Sequence, residues 1–138
     1  MKKLLCILLS IFVLAGALAA CAKKDLGPLW ESAVYTENTT LGEGTKTITL
    51  DVVAGDNKVT FTLKTDRDIL GDVLKDHKLV EGDEGEFGLY INSVNGIEAS
   101  WEKDQAYWSV SKDGVMLMTG VDTTNIADGE KYELTYTK

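Results

Sequence analysis

Apolar residues recur at every second position in two stretches between residues 45 and 65, which is typical of two β-strands. The apolar positions lie two apart on both sides of a turn: Ile48, Leu50, Val52, Val59, Phe61 and Leu63. Residues two apart point to the same side of a strand, so each arm presents one apolar face. With Gly55-Asp56-Asn57 between the arms, the pattern predicts a β-hairpin.

The following segment changes to the period of a helix. One helical face carries Ile69, Val73 and Leu74. Thr65 is the expected N-cap, and Gly82 is expected to end the segment. Gly71 lies inside this helix, where glycine costs about 1 kcal/mol relative to alanine. The sequence therefore predicts a close packing contact at Gly71.

Short strands separated by turn residues make up the rest of the chain. A strand is predicted around residues 88–94, followed by an Asn95-Gly96 turn, and another hairpin is predicted to turn at Asp113-Gly114. Tyr132, Leu134 and Tyr136 alternate in a last strand. This order predicts an α+β fold with a β-grasp-like layout, in which one helix packs on a mixed β-sheet made of short hairpins.

The first 21 residues have the layout of an export signal. Lys2 and Lys3 precede an apolar run that is shorter than the roughly 20 residues needed to cross a bilayer. Leu18-Ala19-Ala20-Cys21 resembles the lipobox of bacterial lipoproteins, whose cysteine receives a diacylglycerol and becomes the new N-terminus. The resemblance implies a signal peptide at residues 1–20, lipidation of Cys21 and an outward-facing protein anchored to a bacterial cell membrane. An ordinary signal cleaved near Ala20 is the alternative.

Residues 21–45 contain the chain's only proline and several small polar residues. We expect this segment to be a lipid-anchored tether, and residues 46–138 to form the folded domain. Trp30 and Tyr35 are expected to dock on the domain, because a solvated linker rarely keeps large aromatic side chains.

Composition favours a binding protein over an enzyme. Removal of residues 1–20 leaves 12 basic and 22 acidic residues, a net charge of −10 that argues against nucleic-acid binding. If Cys6 leaves with the signal and Cys21 is lipidated, as the resemblance to a lipobox implies, no disulfide or thiolate site is expected in the mature chain. His77, the only histidine, falls near the expected C-terminus of the helix, and no serine lies in a G-x-S-x-G motif. We therefore expect no catalysis.

Several segments, in order, resemble the domain that forms the C-terminal part of transcobalamin and intrinsic factor. The matching segments are Leu70 to Leu74, Gly88-Leu89-Tyr90-Ile91, Val94-Asn95-Gly96, Tyr107-Trp108, Asp113-Gly114, Gly120-Val121-Asp122 and Asp128-Gly129-Glu130. The resemblance covers roughly residues 46–137, and this domain also recurs alone in bacterial surface proteins. It implies a β-grasp-like domain that binds a soluble ligand, with cobalamin or another corrinoid as the leading candidate. Transcobalamin adds a helical domain, so the resemblance also implies a transporter or companion surface protein as partner.

Aromatic residues are the candidates for ligand contact. Tyr107 and Trp108 are adjacent in a predicted strand and therefore face opposite sides. Val110 shares the parity of Trp108, so Trp108 is expected in the core and Tyr107 at the surface. Trp101 is expected in a polar loop. We predict a ligand-binding set of Tyr107, Trp101, Trp108 and Tyr90. The alternative is that these rings pack against the Trp30 and Tyr35 segment.

Acidic residues provide a second hypothesis. The loop expected after the helix carries Glu81, Asp83, Glu84 and Glu86. Carboxylate oxygens at this density suit Ca²⁺, although the spacing is not that of an EF-hand. Divalent-cation binding is therefore the alternative function, and a protein-interaction or adhesion module is the third. Met116 and Met118 are expected to fill the core rather than to bind copper.

Overall fold

The computed structural model describes residues 24–86 and 88–138, which fold into two β-sheets and a few short helices. The predicted signal peptide, at residues 1–20, and the predicted lipidation site, Cys21, lie outside the described residues. Within the described ranges, no helix is both long enough and apolar enough to cross a membrane.

Nine strands and two α-helices make up the described chain. The strands are β1 (Thr39–Gly42), β2 (Lys46–Ala54), β3 (Asn57–Thr65), β4 (Val80–Gly85), β5 (Gly88–Val94), β6 (Ile97–Glu98), β7 (Tyr107–Lys112), β8 (Val115–Met116) and β9 (Lys131–Thr137). The α-helices are α1 (Leu70–Asp76) and α2 (Trp101–Asp104), and 3-10 turns lie at Pro28–Trp30 and Val121–Thr123.

The larger sheet is mixed and has the order β1-β3-β2-β9-β7-β8, while β4, β5 and β6 form a second, antiparallel sheet. The central strands β2 and β9 are parallel, and so are β1 and β3. The remaining pairs of the larger sheet are antiparallel. The described chain combines these two sheets with short helices, which confirms the predicted α+β class.

The β2–β3 hairpin follows the alternating pattern of the sequence. Leu50 lies opposite Phe61, and Val52 lies opposite Val59. These four side chains are fully buried, because cross-strand partners share one face of the sheet. Gly55, at a φ of 62°, takes the left-handed conformation that the two-residue turn requires.

Helix α1 inserts Leu70, Val73 and Leu74 into the core, as the periodicity predicted. It begins later than expected, because Thr65 is the last residue of β3 and its hydroxyl accepts a hydrogen bond from Arg67 N at 3.0 Å. No side chain caps the helix. The N–H of its first residue, Leu70, instead donates to Thr124 O at 2.9 Å. The predicted N-cap was therefore wrong. A backbone carbonyl from a distant segment accepts the hydrogen bond of the first helical N–H group instead.

The C-terminal end of α1 also differs from the prediction. The helix ends at Asp76, and His77 is its C-cap, in agreement with the expected position of the histidine. Gly82 does not end the helical segment, because Val80 already begins β4.

The predicted tether contributes to the fold. Trp30 is 3% exposed, and its indole Nε1 donates to Ala54 O at 3.0 Å. Tyr35 lies edge-on to Phe61, with 5.4 Å between ring centroids. The Asn95 side chain accepts from Tyr35 N at 2.9 Å and donates to Tyr35 O at 2.8 Å. With β1 added to the larger sheet, the structured domain begins near Gly27 rather than at residue 46.

The β7–β8 hairpin turns at Asp113-Gly114 as predicted, but its methionines do not fill the core. Met118 is 95% exposed, and Met116 is also exposed. β8 is the outermost strand and ends at Met116, so Met116 lies at the rim of the sheet and Met118 lies beyond the strand. The core prediction for both methionines was wrong, because alternation alone does not distinguish a covered strand from an edge.

We expect Tyr132 to make stability depend on pH in the alkaline range. Burial, followed by the nearby negative charge of Glu130, raises the pKa of Tyr132 to about 12. An unfolded tyrosine titrates near pH 10. The contribution of Tyr132 should therefore be complete below about pH 10 and be lost as the pH rises from about 10 to 12.

Urea unfolding between pH 8 and pH 11 measures this effect. The wild-type protein should lose stability more steeply above pH 10 than Tyr132→Phe, which has no proton to release. Parallel curves for the two proteins would contradict the prediction.

Candidate functional site

An open cavity of about 330 Å³ lies where β5 of the smaller sheet passes β7 of the larger one. We call it the aromatic cavity; its walls are Leu89, Tyr90, Ile91, Trp101, Tyr107, Trp108, Val110, Gly120 and Val121. All four aromatic residues of the predicted ligand-binding set line it. They come from three elements, β5, α2 and β7, so the fold brings together rings that the sequence separates.

Trp108 forms the buried wall of the aromatic cavity. It is 7% exposed, and its Nε1 donates to Ile97 O of β6 at 3.1 Å. Its ring meets Tyr136 of β9 in a T-shaped contact, with 5.7 Å between centroids. Trp108 thus joins the two sheets, and its burial confirms the prediction made from strand parity.

Three rings remain accessible at the mouth of the cavity. Tyr107 is 36% exposed, Tyr90 is 53% exposed and Trp101 is 60% exposed. The rings of Trp101 and Tyr107 are 6.4 Å apart and inclined by 59°. Accessible rings inclined to each other can contact the faces and edges of an organic ligand.

Trp101 is the first residue of α2 and does not lie in the polar loop that the sequence predicted. Ser100 caps this helix, and its Oγ accepts from Lys103 N at 3.3 Å. The alternative that the site aromatics pack on the N-terminal segment was also wrong. Trp30 and Tyr35 dock on β2 and β3, leaving the aromatic cavity open.

Asp122 ties the cavity wall to helix α1. Its Oδ2 accepts from Leu89 N at 3.0 Å, and its Oδ1 accepts from Lys75 Nζ at 3.1 Å. The hydrogen bond to Asp122 raises the pKa of Lys75, although burial opposes the shift. A Cβ atom on Gly71 would lie 2.5 Å from Asp122 Oδ1 and 3.2 Å from the Val121 backbone. This confirms the predicted close packing at Gly71, a contact whose partners the sequence did not reveal.

A second recess of about 360 Å³ adjoins the aromatic cavity and shares Tyr90 and Trp101 with it. We call it the acidic depression; its other lining residues are Asp83, Asn92, Glu98, Ala99, Ser100 and Glu102. Asp83 Oδ2 accepts from Asn92 Nδ2 at 2.9 Å. Sequence reasoning missed Glu98 and Glu102, since nothing in their local pattern separates them from other surface carboxylates.

The four carboxylates of the predicted metal site do not converge. Glu81, Asp83 and Glu84 lie in β4, which the sequence assigned to a loop, and Glu86 follows in the turn. Successive residues of a strand point to opposite sides. Glu84 therefore pairs with Lys75 at 3.4 Å, while Asp83 bonds to Asn92. Across the described ranges, no cluster of three or more histidine, cysteine or carboxylate side chains could hold a metal ion.

Solved structures with a similar fold include the following two. One is a proposed metal binding protein from Ruminococcus gnavus ATCC 29149, 37% identical, with a TM-score of 0.65; the alignment covers 68% of this chain and 98% of that protein. The other is haptocorrin in complex with Cbi, 19% identical, with a TM-score of 0.56, covering 67% of this chain and 25% of haptocorrin. The second similarity confirms the transcobalamin-like resemblance at the level of fold.

No curated protein sequence matches the chain significantly. A family match covers residues 68–138, from just before helix α1 to the C-terminus, and so includes every lining residue of the aromatic cavity and the acidic depression. The chain belongs to the family described as Domain of unknown function (DUF4430).

Proposed function

We propose that this protein binds a soluble organic ligand in the aromatic cavity and does not catalyse a reaction. The observation that carries the proposal is the convergence of Tyr90, Trp101 and Tyr107, all accessible, on a recess backed by the buried Trp108. Small-molecule sites are typically concave, apolar and aromatic, with a few polar groups. At about 330 Å³ the cavity suits a small ligand or one edge of a larger flat one.

A corrinoid is the ligand that we propose to test first. Haptocorrin, whose fold is similar, was solved in complex with Cbi. The sheet order β3-β2-β9-β7, with β2 and β9 parallel at its centre, supports a β-grasp arrangement of the kind that the resemblance implies. Because this chain aligns with only a quarter of haptocorrin, we propose that a transporter or companion surface protein completes the site.

We further propose that a lipid on Cys21 holds the domain outside a bacterial cell membrane. The lipobox-like residues 18–21 support this anchoring. The structured domain begins near Gly27, so about six residues would separate the lipid from the fold. Fully extended, six residues span roughly 20 Å. This length would keep the aromatic cavity close to the membrane, where a transporter could receive the ligand.

Divalent-cation binding is the second candidate function. The R. gnavus protein of the same fold is a proposed metal binding protein and is 37% identical. Asp83 and Glu84 have different partners on opposite sides of β4, and no metal-holding cluster lies among the described residues, which argues against the site that the sequence suggested. We therefore rank this function below organic-ligand binding.

Calorimetric titration and thermal unfolding of residues 24–138 test these proposals. This segment contains the whole described core, from Trp30 to Leu134. Cobalamin or cobinamide should bind saturably and raise the melting temperature, because a ligand that binds only the folded state stabilises it. Trp101→Ala should weaken binding at least tenfold, whereas Val115→Ala, at the exposed β8 rim, should not.

Two other outcomes would redirect the proposal. A rise in melting temperature with Ca²⁺, together with no rise with a corrinoid, would favour divalent-cation binding. Binding that Trp101→Ala leaves unchanged would place the ligand outside the aromatic cavity.

A further inference from the structure

The aromatic cavity and the acidic depression are adjacent and differ in chemistry, and we call them together the recess. Tyr90 and Trp101 line both parts, so these two residues lie between an apolar wall and a group of carboxylates. A ligand that fills the recess would therefore contact apolar side chains at one end and negative charge at the other.

The carboxylates of the acidic depression are not neutralised by the protein. Asp83, Glu98 and Glu102 are exposed, and no ion pair among the described residues engages them. None of the described residues that line either part is basic. Other acidic side chains do have cationic partners, such as Asp76, which accepts from Arg67 at 2.9 Å. The net charge of −8 adds to the negative potential of the recess.

We propose that the ligand of this recess is an organic cation, such as a substituted or quaternary ammonium compound. This inference rests on the proposed function and specifies the charge of its ligand. The apolar part of the ligand lies in the aromatic cavity. The positive group lies over the faces of Trp101 and Tyr90, beside the carboxylates. A cation within about 6 Å of an aromatic ring is attracted by the negative face of the ring, most strongly for tryptophan.

An organic cation fits this recess better than a metal ion does. A metal ion needs several oxygen ligands converging at about 2.0–2.6 Å. An ammonium group needs only ring faces and an unpaired negative field, which are the two features that Trp101, Tyr90 and the carboxylates supply together.

Choline and its neutral isostere 3,3-dimethyl-1-butanol test the proposal as a matched pair of probes. Binding to ¹⁵N-labelled residues 24–138 is followed through the three tryptophan indole signals. The Trp101 and Trp108 signals should shift on titration. The Trp30 signal, from an indole that donates to Ala54 O away from the recess, is the internal reference. Choline should bind at least tenfold more tightly than the alcohol. Raising NaCl from 50 to 500 mM should weaken the binding of choline but not that of the alcohol, because salt screens the attraction between charges.

Two double variants with the same change in net charge test whether the carboxylates of the acidic depression are responsible for choline binding. Glu102→Gln combined with Glu98→Gln should weaken choline binding at least fivefold and change binding of the alcohol less than twofold. A double variant at carboxylates outside the recess, Glu43→Gln with Glu37→Gln, changes the net charge equally and should leave choline binding unaltered.

The outcomes separate the inference from the proposed function. Equal binding of the two probes at Trp101 would overturn the cation inference and leave an organic-ligand cavity in place. If both double variants weakened choline binding equally, the effect would come from the net charge of the protein. That result would contradict the placement of the cation beside Glu98 and Glu102. The absence of any shift with either probe would overturn the inference, while corrinoid binding would still sustain the proposed function.

Discussion

Replacement of Trp108 by alanine should lower the free energy of unfolding by about 3–5 kcal/mol, the range for truncating a large buried aromatic side chain. The indole of Trp108 is almost fully buried, contacts Tyr136 edge-on and donates to Ile97 O. Its loss would leave a cavity between the two sheets and remove the hydrogen bond that Trp108 donates to β6. The smaller sheet would then be held less firmly against the larger one.

Urea unfolding of Trp108→Ala and Trp108→Phe separates these contributions. The phenylalanine variant keeps an aromatic ring but cannot donate to Ile97 O. It should therefore lose less stability than the alanine variant, with about 0.5–1.5 kcal/mol of its loss due to the missing hydrogen bond. Trp101→Ala is the matched control, because Trp101 is mostly exposed and its loss should change stability by about 0.5 kcal/mol or less. A loss below 1 kcal/mol for Trp108→Ala would contradict its role in joining the sheets.

Replacement of Trp30 by alanine should have a comparable effect, about 3–5 kcal/mol. Trp30 is buried as deeply as Trp108, and its indole donates to Ala54 O at the end of β2. The side chain belongs to the same apolar cluster as Leu50 and Phe61. Removal of the side chain would detach the N-terminal segment from the end of the β2–β3 hairpin.

Thermal and urea unfolding of Trp30→Ala therefore test where the domain begins. Val34→Ala, an exposed position in the same segment, should have little effect and is the control. If Trp30→Ala cost less than 1 kcal/mol, residues 28–42 would behave as the tether that their composition suggested.

Local periodicity predicted most of the elements that build the larger sheet. The alternation through Leu50 and Phe61 predicted β2 and β3, and Asp113-Gly114 predicted the turn between β7 and β8. These predictions are correct because apolar and polar residues must alternate in a strand with one buried face, and because a tight turn needs residues that accept positive φ. The same parity argument separated the buried Trp108 from the exposed Tyr107.

Elements held by distant partners were not predictable in this way. β4 carries a buried apolar side chain only at Val80, so its residues resemble a charged loop, and its strand conformation comes from pairing with β5. The start of α1 is set by the backbone of residues 124–126, more than fifty positions away. Residues 28–42 resemble a linker in composition, and only Trp30 and Tyr35 indicated that they dock.

The α+β class, the hairpins and the aromatic candidates for ligand contact could all be predicted from the amino-acid sequence, because each is encoded in neighbouring positions. The meeting of Tyr90, Trp101 and Tyr107 in one cavity could not be predicted in this way, since their distances depend on how β5 packs beside β7. Packing also places Asp83, Glu98 and Glu102 beside Tyr90 and Trp101, while Glu84 points away from them to Lys75. A binding site is a set of relative positions in space, and packing between distant elements sets those positions.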